Sequence, residues 1–578
     1  MYKRQSFLHC AIILSIAMLI VKAIGALFKV PLAHIISENG MGYFNTAYNF
    51  YAVFFSLATA GFPVAISKLT SQNLSLGKYK TVRSIKKVSF PIFFITGLAG
   101  TLLMLSTARI YTNFIGNKGA FLPILALSPT LLFCCLNSIY RGYFEGLRNM
   151  YPTAISQVLE AMSKLIIGLG MAIFTVHFLE NEYSVHGTVL GEKLSLEQST
   201  LTIFSYSAAT AILGVSIGSF LSFCFLILYH KIKGDGIDAL KYQKSEKSIP
   251  AKTIRNNLLK ISLPIAIGAF ATSISALIDQ TFLQKTLSVL IQKNPEFIIE
   301  FYKGQIPTTN LTDISTIPNF LFGCHAYAMT IFMLVPAFTQ SLGTSALPNL
   351  SAIWVRGNLK AFEKKTQNIL KITAIVAFPL GIGITCISSL IVTVLYGDSI
   401  SMPIISKILA VLGITGSFCA LTIPLTSVLQ AIGKEKVPVK ILILGIIAKL
   451  ILNYILCTCP QINLLGASIS SFISHLFILI AELFALKKYA KIKLNCKKVL
   501  LKPLLCAIIC TVTAKISINF LQNYIGNSII ICLFCVILSA TIYFIFLFLT
   551  KTLNLNDIFL LINRKNAKKT CNFYKYKV

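Results

Sequence analysis

The chain has 578 residues, 55% of them hydrophobic, and carries 52 Lys and Arg against 19 Asp and Glu, a formal net charge of +33. Its longest polar stretches, residues 230–256 and 285–318, cannot bury a core of their own, which excludes a folded soluble catalytic domain. The charge does not point to nucleic acid either, because it is scattered over short loops with no recognition module beside it.

In chain order, apolar runs of about 20 residues predict fourteen membrane spans, over residues 8–34, 43–66, 88–111, 120–140, 153–178, 203–229, 257–284, 319–346, 368–396, 402–432, 438–458, 463–486, 499–521 and 526–550. The first run follows Lys3 and Arg4 as a signal peptide would, but it continues past residue 30 with no small-residue cleavage site, so a retained span is expected. The loops alternate between lysine-rich and nearly free of basic residues. Positive charge near span ends stays on the cytosolic side, which predicts cytoplasmic termini and puts Glu38, Glu180, Glu182, Glu296, Asp313 and Asp398 outside. Juxtamembrane lysines such as Lys86 and Lys87, or Lys487 and Lys488, make anionic membrane lipids the ordinary partner of the inner face. The outer loop over 181–200 gathers Glu182, His186, Glu192 and Glu197 at spacings that match no ligand motif, and reads as a solvated loop. Most of the 15 cysteines fall inside spans, where thiols act as small apolar groups. No metal or cofactor is expected.

The first twelve spans divide into two groups of six. Span 5 is entered by EGLRNMYPTAISQVLEAMSKLI (145–166) and span 11 by LQAIGKEKVPVKILILGIIAKLIL (429–452), each with a glycine, a basic turn, a proline and then a lysine. Spans 2 and 8 each carry a proline near the inner third, Pro63 and Pro348. Six spans per half is an even number, so both halves cross in the same sense, and a pseudo-two-fold axis along the membrane normal follows, with a cavity near mid-bilayer. The fold class is an all-α polytopic membrane protein: an N-terminal six-helix lobe (1–230), a cytoplasmic linker (231–256), a C-terminal six-helix lobe (257–488), two further helices (489–550) and a basic cytoplasmic tail (551–578).

Charges inside spans cost about 2.5 to 3.5 kcal/mol at a helix centre and mark functional positions. Lys22 and Lys29, seven apart, share one helix face about 10 Å apart along the axis, as two cations awaiting a diphosphate would. Glu160 and Lys164 stand at i and i+4, the favourable order for a local pair. Asp279 and Lys449 complete the candidate cavity set. Lys407, Glu482 and Lys515 lie near span ends and read as snorkelling groups, a reading equally open to Lys29.

Four segments then carry a resemblance: YRGYFEGLRNMYPTAISQVLEAMSK (140–164), AGFPVAISKLTSQ (60–72), LPIAIGAFATSISALIDQ (263–280) and GCHAYAMTIFMLVPAFTQSLGTSALPNLS (323–351). Together they resemble the SpoVB type of polysaccharide transporter, related to the MurJ lipid II flippases within the superfamily that also holds the MATE exporters. The resemblance implies fourteen helices in two lobes and export of undecaprenyl-diphosphate-linked sugars for peptidoglycan or another envelope polymer in a bacterial cell membrane, with cell-wall synthesis proteins as possible partners. It implies a cavity lined by basic residues of the first helix, where VKAIGALFKVP (21–31) supplies Lys22 and Lys29, and an acidic position on the seventh helix, where Asp279 stands. Lysine gives that site a point charge in place of arginine's fork. The alternative on the same fold is a cation-coupled exporter of drugs or metabolites, which would favour buried carboxylates; the intramembrane residues named above are mostly cations. A polysaccharide polymerase would need a large outer loop with a paired acid and base, and none is found.

The topology has a direct check. On a background lacking reactive native thiols, a cysteine within 181–200 is expected to react with an impermeant thiol reagent from outside, and one within 245–252 only after lysis; the reverse pattern would invert the whole orientation.

Overall fold

The computed structural model describes residues 7–59, 61–492, 494–524, 527–550 and 552. Apart from Thr552, the expected basic tail over 551–578 lies outside the described residues. The chain packs as two compact units, Met1–Thr330 with Asn453–Leu464, and Ile331–Leu452 with Leu465–Val578.

The first unit contains α1 (Phe7–Thr59), α2 (Phe62–Ser75), α3 (Tyr79–Ile115), α4 (Phe121–Gly146), α5 (Tyr151–Ser163), α6 (Leu169–His186), α7 (Leu196–Lys233), α8 (Ala239–Gln243), α9 (Ala251–Lys293), α10 (Pro295–Phe301), α11 (Thr308–Leu311) and most of α12 (Ile317–Phe332). The second contains α13 (Leu334–Val355), α14 (Leu359–Cys386), α15 (Ser388–Tyr396), α16 (Met402–Ala431), most of α17 (Lys436–Cys457), α18 (Leu465–Ala490), α19 (Lys502–Leu521) and α20 (Ser528–Leu549). Division by packing thus differs from division by repeats at 231–256, because α9 runs against α1, α2 and α3.

Twelve helical stretches among the described residues are long and apolar enough to cross a bilayer. The first of them, Ile16–Ser75, has 60 residues, which in a straight helix would reach ~90 Å, about three hydrocarbon thicknesses. It does not run straight. Ser37 takes φ 55° and ψ −174°, and the rings of Phe28 and Phe44 lie 5.9 Å apart, whereas a straight helix would separate those positions by ~24 Å. α1 therefore turns back at Ser37, and its two arms cover the first predicted span and most of the second, whose last residues fall in α2.

A positive φ at a serine is costly and persists only where its surroundings hold it. Here the turn is gripped by buried amides. Asn39 donates to Asn310 at 2.9 Å, Asn117 donates to Asn319 at 2.8 Å, and Asn319 donates to the Asn39 carbonyl at 3.0 Å. Gly323 and Gly42 let α12 lie directly on the turn: a Cβ at Gly323 would meet the Glu38 carbonyl, and one at Gly42 would meet Asn319.

α5 passes into α6 through a π-helical turn, Lys164–Gly168. There α7 approaches so closely that a Cβ at Gly214 would strike the Gly168 backbone, and one at Gly218 would come within 2.9 Å of the Glu160 carbonyl and the Ser163 Cβ. Small residues at a membrane helix interface permit this contact, since packing and hydrogen bonds replace the hydrophobic drive that lipid does not supply. The same device recurs in the second unit, where Ser417 of α16 donates to the Ala377 carbonyl of α14 at 2.9 Å and Thr385 donates to the Ala410 carbonyl at 2.8 Å. Tyr543 of α20 reaches the Ile375 carbonyl at 2.9 Å, and Phe362, Leu370, Leu425, Leu486 and Leu547 fill the core between these helices.

The segment over 181–200 is mostly exposed, as a solvated loop would be; it comprises the end of α6, a small hairpin with Thr188–Val189 paired antiparallel to Glu192–Lys193, and the start of α7. Glu182 is used to hold the hairpin, accepting from the Gly191 N–H at 3.0 Å and from Thr188 at 3.3 Å. At the opposite end of α7, Arg83 grips Asp235 through Nε at 2.6 Å and Nη2 at 3.1 Å. Partial burial acts to raise the Asp235 carboxyl, but the hydrogen bonds and charge of Arg83, with the Ile237 N–H and Tyr143, outweigh it and hold the group below the ordinary carboxylate range.

Gly214→Val is expected to overpack the α7 contact and destabilise the detergent-solubilised protein by about 1–3 kcal/mol, read as a lowered thermal midpoint. Gly116→Ala, where a Cβ meets open space but φ is +73°, should cost less, through backbone strain alone.

Candidate functional site: a cationic cavity in the first unit

Four helices of the first unit, α1, α4, α5 and α7, the last through Val215, line an open cavity of about 490 Å³. α1 contributes Lys22, Tyr48 and Tyr51, α4 contributes Arg141, and α5 contributes Gln157 and Glu160, with Lys164 at the start of the π turn. Three cations and one carboxylate therefore face it.

Arg141 and Glu160 organise the floor. The guanidinium donates through Nη2 to Glu160 at 2.8 Å and to Ser222 at 3.0 Å, and through Nε to Ser156 at 2.9 Å. Ser219 donates to the other Glu160 oxygen at 3.0 Å. The side chains are only 18% and 24% exposed, so a charge left alone there would be strongly unfavourable. Arg141 lies on α4, Ser156 and Glu160 on α5, and Ser219 and Ser222 on α7, so the network ties the three helices together.

This corrects the expected Glu160 and Lys164 pairing. The i, i+4 spacing does put both on the cavity wall, but Glu160 takes its ion pair from Arg141, whose planar fork also satisfies two serines, a geometry an ammonium cannot reproduce. Lys164 turns to the rings of α1 instead. Its ammonium lies 4.6 Å from the Phe28 ring centre, 4.9 Å from that of Tyr48 and 5.9 Å from that of Phe44, within the range of cation–π attraction. Because Phe28 precedes the Ser37 turn while Phe44 and Tyr48 follow it, this box exists only once α1 has folded back.

The other candidates separate. Lys22 is an exposed residue along the same cavity. Lys29 is drawn toward α12, where Nζ donates to Thr330 at 3.5 Å. Asp279 of α9 accepts from Asn453 at 2.5 Å. Lys449 belongs to the second unit. Glu482, expected to snorkel, is only 2% exposed on α18, and Thr426 donates to its Oε1 at 2.7 Å while Oε2 has no hydrogen-bond partner. Among the described residues, no group of three His, Cys, Asp or Glu is placed to hold a metal.

Sequence reasoning missed Arg141 because it sits one residue past the predicted end of span 4, where an arginine reads as a topology signal. The available clue was polar periodicity: Ser156 and Glu160 at i and i+4 on α5, and Ser219 and Ser222 at i and i+3 on α7, both facing into an otherwise apolar bundle.

Fold and cavity together define a polytopic membrane protein with a cavity lined mostly by cations in its first unit. The fold is similar to a solved structure of the lipid II flippase MurJ in an inward closed conformation, at TM-score 0.61 and 17% identity, covering 93% of this chain and 98% of that one. It is also similar to an inward-facing multidrug resistance MATE family transporter of the MOP superfamily, at TM-score 0.58 and 15% identity over 83% of this chain and 99% of that one. In sequence, the family profile "Polysaccharide biosynthesis protein" matches residues 7–288, and the profile "Lipid II flippase MurJ" matches residues 202–535. The chain belongs to the lipid II flippase MurJ family. Among its relatives are the lipid II flippase MurJ of Bacillus subtilis (strain 168), 22% identical over 90% of this chain and 89% of that protein, and the stage V sporulation protein B of the same organism, 23% identical over 86% of each.

A double-mutant cycle tests the floor of the cavity. Arg141→Ala and Glu160→Ala are each expected to lower the thermal midpoint, and the double variant to lose less than the sum, with a coupling of about 1–3 kcal/mol. Arg141→Lys should recover only part of it, because the fork is lost.

Proposed function

We propose that the chain is an alternating-access flippase that moves undecaprenyl-diphosphate-linked glycan from the inner to the outer leaflet of a bacterial cell membrane. The observation that carries this reading is the charge of the cavity. Lys22, Arg141 and Lys164 outnumber the single carboxylate Glu160, which is itself held by Arg141. The surplus is positive and suits a diphosphate, whereas an exporter of cations would want the opposite sign. That argues against the MATE-like alternative despite the shared fold. On the same wall Gln157 supplies an uncharged polar side chain suited to sugar hydroxyls.

Carried unaided through hydrocarbon, a diphosphate and its sugars would lose hydrogen bonds worth several kcal/mol per polar group. A polar cavity supplies replacements while the isoprenoid tail stays in lipid. α19 and α20, which expose Ile516, Phe520, Leu533 and Phe544 among others, fit a role alongside that tail.

In this reading the chain crosses the membrane fourteen times with both termini cytoplasmic. Twelve stretches pass by length and hydropathy, α1 doubles back within the first of them, and α9 supplies one more. Two six-helix lobes related by a pseudo-two-fold axis, followed by two helices, accommodate that count. Lys29, Asp279 and Lys449 join the transport path in other conformations. Anionic lipids contact the basic loops, and cell-wall synthesis proteins supply or use the substrate.

The test is flipping of a lipid-linked oligosaccharide by the purified protein in vesicles, alongside accumulation of that precursor on the inner leaflet after depletion. Lys22→Ala, Lys164→Ala and Lys449→Ala should each slow flipping at least about tenfold, equivalent to ~1.4 kcal/mol, with normal protein levels. Lys22→Arg should retain activity. Wild-type rates in the three alanine variants would sink the cationic cavity.

A further inference from the structure

A second concavity of the first unit, about 800 Å³, runs between α3 and α9. Val88, Ile92 and Ile95 of α3 and Leu259 of α9 form its walls, and Ile95 and Leu259 are 64% and 40% exposed. Lys87, Lys252 and Arg255 close one end. No carboxylate lines it, and none of these three cations is ion-paired among the described residues.

Neighbouring charges are already committed. Arg83 is bound to Asp235, and Lys86 lies against His230 with its ammonium 5.6 Å and 5.5 Å from the ring centres of Tyr140 and Tyr143. Lys87, Lys252 and Arg255 thus stand as the three cations that line the groove. Lys252 and Arg255, three residues apart in the first turns of α9, project from one helix face. The N-cap of that helix, Pro250, supplies no side-chain cap, which leaves the positive end of the helix dipole facing the same place. Pro91 in the α3 wall has no N–H to give to the Lys87 carbonyl, so the groove sits at an interrupted helical ladder.

We propose that this groove is a binding site for an anionic glycerophospholipid, with its phosphate on Lys87, Lys252 and Arg255 and an acyl chain laid along Val88, Ile92, Ile95 and Leu259. Apolar walls give a free phosphate no reason to stay. Three cations without an acid favour a net negative headgroup over a zwitterion. The apolar wall from Lys87 to Ile95 is ~12 Å long, which suits part of an ordinary acyl chain and is overrun by a long isoprenoid. A lipid seated there ties α9 to α3 where the 234–250 linker enters, and its site is separate from the cavity that holds Glu160.

The experiment uses the full chain in detergent. Its thermal midpoint is followed on adding phosphatidylglycerol or phosphatidylcholine, and co-purified lipid is counted by native mass spectrometry. Phosphatidylglycerol should raise the midpoint by several degrees and phosphatidylcholine hardly at all. The variant K87Q/K252Q/R255Q should lose at least half of that rise and its bound lipid, while K360Q/K364Q/K365Q, equal in charge change but on α14, should keep both. Ile95→Trp, which fills the groove and leaves every cation in place, should also lose the rise, and it decides the matter if the triple variant does not fold. The proposal is overturned by equal responses to the two lipids, by a full response in Ile95→Trp or in the groove triple variant, by equal loss in the α14 variant, or by a polyprenyl phosphate as the retained lipid.

Discussion

The ion pair between Arg141 and Glu160 is the contact on which the first unit depends. In a low-dielectric interior neither charge can stand alone, and removing one partner of a buried pair typically costs 3–5 kcal/mol. Their demand for partners explains the serines at 156, 219 and 222, which complete the shell. It also explains why α7 must come close: Ser219 and Ser222 reach the pair only because Gly214 and Gly218 let the α7 backbone touch α5 and the π turn. The requirement accounts for Gly214, Gly218, Ser219 and Ser222, while Ser205, Ser207 and Ser216 of the same helix bond to other neighbours.

With Glu160 bound to Arg141, Lys164 is left to the rings of α1, which attract its charge without neutralising it. An ammonium held this way stays able to meet an anion. A lysine paired with a carboxylate would first have to break that pair. The cavity therefore keeps its positive character by directing the one nearby carboxylate elsewhere. The Ser37 turn contributes too, because it is what gathers Phe28, Phe44 and Tyr48 around one atom.

The spans were legible from hydropathy because bilayer thickness fixes both the length and the composition of such a segment. The intramembrane charges were legible as a set, since hydrocarbon makes every one of them conspicuous. Their partners were not. Helical spacing predicts contacts within one helix, so it offered Lys164 to Glu160, whereas the partner that prevails is on α4, and nothing in a one-dimensional pattern ranks a guanidinium on another helix above an ammonium one turn away. Glu482 failed for a related reason: depth along a helix says nothing about which way the side chain points, and this one points into packed protein. The 181–200 segment looked chemically rich, but its acid at 182 is spent on a hairpin turn.

The π turn at Lys164–Gly168 has a consequence for any comparison of this chain with others. It accommodates one residue more than an α-helix of the same length, so positions beyond it are rotated by ~100° relative to a continuous wheel. Across that turn, residues five apart take the relation that residues four apart hold in an α-helix. An amphipathic stripe traced through α5 into α6 therefore breaks phase in the middle of the membrane. Deleting a single residue there would restore a regular helix and leave α6 at its present azimuth, whereas winding the same residues as one continuous α-helix would swing α6 by ~100° and turn a different face toward the protein.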